Sequence, residues 1–191
     1  DLLVNSDFVE QAGHRRIIGY ASNTSSHSIE INYADSVQQE LTFCVPTHGA
    51  APEKANEIAT TDLALKALGV EPEIGAEVPL EFELRGKTYH YDMVLSGWWE
   101  ASNDSVSVAT VSEQFIKENP DVVQNTYAVD HEMSGVTFSD VVLKNKANVQ
   151  QQLNEFVCSI GGNPEDMGAD NFILASENQM SQGLTSSESI V

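Results

Sequence analysis

Positive charge is what this sequence has least of: 9 Lys and Arg stand against 29 Asp and Glu in 191 residues, a formal net charge of −20. Surfaces that hold phosphate backbones or anionic lipid headgroups are built from clustered Lys and Arg, so nucleic acid is not an expected partner. Cysteine is nearly as scarce. Cys44 and Cys158 lie far apart, without CxxC spacing or paired histidines nearby, which removes zinc-site and thioredoxin-like readings and leaves two thiols or one disulfide open. No run approaches the roughly 20 apolar residues that a membrane-spanning helix needs, and no signal-peptide core is present.

What remains is the composition of a folded protein. Hydrophobic residues make up 41% of the chain, and the length suits one sizeable core or two small ones. The sequence starts at Asp1 without Met and ends in a polar run from Ser181 to Ser189, so it reads as part of something longer.

Spacing along the chain predicts the elements. Ser6 is placed to cap a short helix carrying Phe8, Val9 and Ala12, with Gly13 as its stop. Strands are expected at Arg15 to Ser22, Ser28 to Ala34 and Gln39 to Val45, followed by a loop through Pro46, Gly49 and Pro52. Leu63, Ala64, Ala67 and Leu68 share one helical face that Gly69 ends. Val78, Leu80, Phe82 and Leu84 alternate with polar residues, Gly86-Lys87 turns the chain, and Tyr89, Tyr91, Met93 and Leu95 resume the alternation. That is a hairpin with one wet face.

Ser105 to Ala109 reads as a further strand, and Thr110 with Glu113 as a capping box for a helix ending before Pro120. Val136 to Leu143 reads as a strand, Val149 to Ile160 as a helix stopped by Gly161-Gly162, and Phe172 to Ser176 as a last strand. Strand runs mixed with isolated helices give an α+β class rather than a doubly wound parallel sheet.

Chemistry-bearing motifs are missing. No serine sits in a GxSxG elbow, and the chain has no P-loop. Asp130-His131-Glu132 is the best metal-like cluster, but adjacent residues point apart, and a solvated turn explains it better. His14, His27, His48 and His90 are isolated. No catalytic residue, metal or cofactor is therefore expected. Asn23 and Asn103 lie in glycosylation sequons. Trp98 and Trp99, just past the hairpin, offer either an aromatic contact for a partner or a core anchor at the hairpin base.

From Glu57 to Trp99 the chain resembles the FtsX/MacB family of ABC transporter permeases. The features are EIATTDLALKALGV with its Leu-Gly helix end, then the spacing Ile74-Gly75-x-x-Val78-x-Leu80, a Gly86-Lys87 hairpin and a strand ending near Gly97. The likeness extends to VSVATVSEQFI and SGVTFSDVVLKNKANVQQQLNEF. It implies a single extracytoplasmic domain over 1–191, on the extracellular side of the cell membrane. Its fold would be a split ferredoxin-like porter unit, residues 1–29 plus 132–180, with a mostly-β sabre-like insertion, 30–131, and a tail toward the membrane at 181–191. Only Asp1 to Val4 is available as its first strand.

The function implied is non-catalytic: contact with a substrate or an accessory protein, coupled to transmembrane helices moved by a separate cytoplasmic ATP-binding subunit. A peptide, lipoprotein or hydrophobic substrate and a permease dimer are the further partners. The alternative is a secreted or wall-attached binding module with no transport role.

Overall fold

The computed structural model describes residues 3, 5–24, 28–101 and 107–164. Contacts divide the chain into two compact units. One takes the residues up to Glu10 and those from Val142 onward; the other is Gln11–Val141.

Twelve residues, Val9–Tyr20, form strand β1, where the sequence predicts a helix up to Gly13. Gly13 is not a helix stop but a point of close approach. A Cβ there would stand 2.4 Å from the Gln38 backbone nitrogen and 2.5 Å from its Cα, so only glycine lets the next helix lie against the strand. β2 (Ile29–Ala34) pairs antiparallel with β1. The second departure follows at once: α1 (Ser36–Leu41) occupies part of the predicted strand Gln39 to Val45. Asp35 caps it, accepting from the Gln38 and His14 amides at 2.8 and 2.9 Å. Its buried positions are glutamines: Gln38 reaches Asp140 and Gln39 donates to the Ala34 carbonyl. A helix whose inner face is amide rather than hydrocarbon leaves no apolar period to read.

The remaining elements are β3 (His48–Gly49), β4 (Glu57–Thr61), α2 (Asp62–Leu68), β5 (Glu77–Leu84), β6 (Lys87–Trp99), β7 (Ser107–Val111) and α3 (Glu113–Glu118). A 3-10 turn at Pro120–Val123, α4 (Tyr127–Asp130), β8 (Thr137–Leu143) and α5 (Val149–Ser159) follow. Thr61 caps α2, and Gly69, at φ 73°, ends it. α3 is capped by Ser112 rather than by Thr110.

The hairpin turn is Arg85-Gly86, one residue earlier than predicted, with φ of 51° and 70° at its two central positions. Two left-handed residues are what a type I′ turn requires. Arg85 is held there by its own guanidinium, which donates to the carbonyls of Asp121 and Gln124 and to the Thr126 hydroxyl.

The strands join in the order β3-β6-β4-β7-β2-β1-β8, with β5 also on β6. β2 with β7 and β4 with β6 are parallel pairs. Ala21, just past β1, bridges Phe82 of β5, so the path β5-β6-β4-β7-β2-β1 returns to its start. Ile18, Ile29, Ile31, Ile58, Phe82 and Leu95 fill the inside, each fully buried. The opposite face of β2 is buried and polar. Arg15 makes two contacts with the Glu30 carboxylate at 3.1 and 3.3 Å, Asn32 donates to Glu30 at 2.7 Å, and Thr110 donates to Asn32.

In the other unit α5 buries Leu153 and Val157, and Phe156 meets Phe8 edge-on with ring centroids 5.6 Å apart. Lys146 pairs with Glu10 at 3.0 Å. The predicted strand at Phe172 to Ser176, the tail and most of Asp1 to Val4 lie outside the described residues.

Candidate functional site: an apolar loop pinned to the end of β6

Residues 42–56 link α1 to β4 and include two exposed apolar side chains, Phe43 and Val45. The loop begins with a Schellman motif at the α1 C-terminus. The Cys44 amide returns to the Gln39 carbonyl at 2.8 Å and the Phe43 amide to Glu40 at 3.3 Å, with Phe43 in the left-handed region at φ 57°. Glycine is the usual residue there, since a Cβ is disfavoured. Here the position holds a phenylalanine that is 78% exposed and so gains little from burial. Phe43→Gly is accordingly expected to stabilise the protein, by about 0.5–1 kcal/mol, read as a higher urea midpoint at unchanged slope.

The loop then attaches to β6. Thr47 N–H donates to the Trp98 carbonyl at 3.1 Å and Ala50 N–H to Ser96 at 2.9 Å, while His48 pairs with Trp98 and Gly49 with Gly97. The two glycines make this approach feasible. A Cβ on Gly97 would lie 2.4 Å from the Ala50 oxygen and 2.8 Å from the Pro46 Cβ; one on Gly49 would lie 2.2 Å from the Ser96 oxygen. Gly97→Ala should push the loop off β6 at a cost of about 1–3 kcal/mol, with faster hydrogen exchange at the Thr47 and Ala50 amides as the specific sign. An unaltered exchange pattern would contradict this geometry.

Side chains secure the same contact. The His48 ring stacks on Trp98 with centroids 3.8 Å apart and planes 10° from parallel, and its Nε2 lies 3.1 Å from a Glu100 carboxylate oxygen. Thr47 donates its hydroxyl hydrogen to the other oxygen at 3.0 Å. The Glu100 backbone amide, then His48 and Thr47, hold the Glu100 carboxyl below its ordinary pKa.

The far end of the loop is closed by Glu57. One of its oxygens accepts the amides of Glu53 and Lys54 at 2.9 and 3.0 Å, and the other meets Lys54 Nζ at 2.7 Å. These bonds, the Lys54 ammonium first, draw the Glu57 pKa down to about 2. A depressed carboxyl stabilises the fold fully above its unfolded pKa, about 4.3, and the contribution is lost as pH falls toward the folded value. Stability should therefore decline from about pH 4.5 toward pH 2, and Glu57→Gln should flatten that decline in a pH series of urea melts. Because Lys54 is 77% exposed, solvent screening keeps the effect modest.

The two tryptophans separate, as neighbours on a strand must. Trp99 is 5% exposed but stands outside the main hydrophobic cluster, whereas Trp98, half-buried beneath His48, packs against that cluster. Beside the Gly49–Gly97 pair stands Ile74, 50% exposed, whose Cδ1 reaches within 2.6 Å of where a Gly49 Cβ would be; Val45, 46% exposed, precedes Pro46 in the loop. The sequence gives the loop its Pro46, Gly49 and Pro52 but not its apolar surface, because Leu41, Phe43 and Val45 mimic a strand's alternation.

Three comparisons with known proteins bear on this architecture. No protein-family model matches the chain, and no curated protein does. Among solved structures, the extracellular domain of the noncanonical ABC-type transporter YknZ from Gram-positive bacteria superposes with a TM-score of 0.53 at 14% identity, over 84% of this chain and 81% of that one. The fold is that of an ABC-permease extracellular domain. A domain described as part of a permease protein from Porphyromonas gingivalis gives a TM-score of 0.52 at 11% identity, covering 93% of this chain and 80% of that one.

Within this ectodomain fold the other candidates of the sequence are accounted for locally. Asp130-His131-Glu132 is a helix end: His131 is left-handed at φ 59°, Asp130 accepts the Glu132 amide, and Glu132 accepts the Arg85 amide. His14 Nδ1 lies 2.8 Å from the Ser139 hydroxyl, and His90 pairs with Glu81 at 3.1 Å. His27 and Asn103 are outside the described residues, and the Asn23 amide donates to the Pro79 carbonyl. Cys44 and Cys158 are free thiols, the first half-buried, with burial raising its pKa, and the second exposed. Among the described residues no group of His, Cys, Asp and Glu is arranged to hold a metal, and no helix is long and apolar enough to cross a membrane.

Proposed function

We propose that this chain is the non-catalytic extracytoplasmic domain of an ABC transporter permease, held on the extracellular side of the cell membrane. It contacts a substrate or an accessory protein and follows the motion of transmembrane helices driven by a separate cytoplasmic ATP-binding subunit. The observation that carries this reading is the fold shared with the YknZ extracellular domain across most of both chains.

The contact division supports it further. The described residues on either side of Gln11–Val141 belong to one unit and that single stretch forms the other, which is the pattern of one insertion into a split domain. The porter-like part at 1–29 and 132–180 and the sabre-like insertion at 30–131 are part of this proposal; the contact division has different junctions, at Glu10 and Val142. Hydrolysis of ATP belongs to the subunit, and the ectodomain responds by hinge-like motion.

The experiment is purification of the full-length gene product from membranes. It should associate with an ATP-hydrolysing subunit, and a fluorophore on the exposed Cys158 should change its emission when ATP and vanadate trap the subunit. A membrane preparation with no associated ATPase would overturn the reading in favour of a wall-attached or secreted binding module.

A further inference from the structure

We propose that the loop after α1, with the Ile74 turn beside it, is the docking surface for a positively charged segment of a second protein that presents aliphatic or aromatic side chains. That the partner is met outside the cytoplasm rests on the ectodomain reading above; the surface itself does not.

Four features lead there. Phe43, Val45 and Ile74 place apolar side chains in water, 78%, 46% and 50% exposed. Phe43 does so from a left-handed backbone position that glycine would fill at lower energy, so local stability does not explain the side chain. The loop is preorganised: the Thr47 and Ala50 amides, the Gly49–Gly97 approach and the His48–Trp98 stack fix its course before any partner arrives. A surface ordered in advance loses little conformational entropy on binding, which distinguishes it from a loose apolar loop.

Charge selects the occupant. Glu73, one residue from Ile74, and Glu100, bound to His48 and Thr47, are exposed carboxylates at the rim. Lys54 in the same loop is already engaged by Glu57. A second copy of the chain would bring another net charge of −20 to this face, and an anionic lipid surface would bring like charge as well. A basic segment with apolar anchors complements both the carboxylates and the exposed apolar side chains along the loop, so that charge steers encounter and the anchors hold the complex.

The test uses the chain as it stands and an amphipathic peptide of leucine and lysine as probe, with binding followed by calorimetry and by tryptophan emission. Two control peptides replace lysine by glutamate or leucine by serine. The leucine–lysine peptide is expected to bind and to shift Trp98 emission, and neither control should. Phe43→Ser with Val45→Ser should weaken binding tenfold or more, about 1.4 kcal/mol. Phe43→Gly, expected to fold at least as stably as the wild type, should weaken it as well, which separates lost contact from lost folding.

Equal affinity in both variants, equal affinity for the glutamate peptide, or a Phe43-dependent dimer in sedimentation would overturn the proposal. Its failure is distinct from failure of the transport reading. Peptide binding with no ATPase in membranes would remove the transporter and keep the surface; the converse would remove the surface alone.

Discussion

Replacing Phe82 with alanine should cost the domain about 3–5 kcal/mol, the range for truncating a fully buried aromatic. Phe82 is fully buried, lies in β5, and stacks on Tyr89 and Tyr91 with centroids 5.4 and 6.0 Å away. Its ring also stands 3.4 Å from where a Cβ on Gly19 would be, and its backbone bridges Ala21, so it fills the seam where the sheet returns on itself. Removing it leaves a cavity between β1 and β5 that two strands of a closed path cannot both collapse into. Domains of this size commonly have a total stability of about 5–15 kcal/mol, so the variant is expected to be marginal at best. Urea unfolding measures this directly; a loss below about 1 kcal/mol would mean the seam is not packed as described.

Truncating Arg15 to alanine should cost about 2–3 kcal/mol, for a different reason. The Glu30 side chain is only 7% exposed, and Arg15, 32% exposed, neutralises it through two close contacts. Without the guanidinium, Glu30 keeps the Asn32 side-chain amide as a donor on β2 but carries a buried charge with its cation removed. Converting Glu30 to glutamine in the same chain removes that charge. The double variant Arg15→Ala, Glu30→Gln should therefore be more stable than Arg15→Ala alone, a non-additivity that a double-mutant cycle reads out. Strictly additive losses would show that the pair is screened by solvent and that the polar face of β2 is less enclosed than its burial implies.

The legible parts of this fold are those where one face is hydrocarbon and the other wet. The β5–β6 hairpin is readable because Val78 to Leu84 and Tyr89 to Leu95 alternate without interruption, and α2 because Leu63, Ala64, Ala67 and Leu68 recur before a left-handed Gly69, although the fully buried leucine is Leu65 and Leu63 is 37% exposed. α1 is hidden because Gln38 and Gln39 occupy its inner positions, and their burial depends on Asp140 and the Ala34 carbonyl, partners that no local window contains. β1 is misread at its start because Gly13 has two meanings, and only the Gln38 backbone 2.4 Å from its would-be Cβ decides between them.

The site divides in the same way. That Trp98 and Trp99 face opposite sides follows from strand geometry, but which of them is buried follows from β4 on one edge of β6 and β3 on the other. The exposed apolar loop leaves still less of a mark in the sequence pattern. Phe43 looks like the middle of an alternating strand until its positive φ and its exposure are known together.

The proposed place of this domain, outside the cytoplasm as part of a membrane permease, is tested by the exposed Cys158 thiol. Intact cells carrying the full-length gene product should be treated with a small membrane-impermeant maleimide, with Cys158→Ser as the blank. Labelling in intact cells, on a protein that sediments with membranes, is the expected result. Labelling only after lysis would place the domain inside the cell and contradict the account.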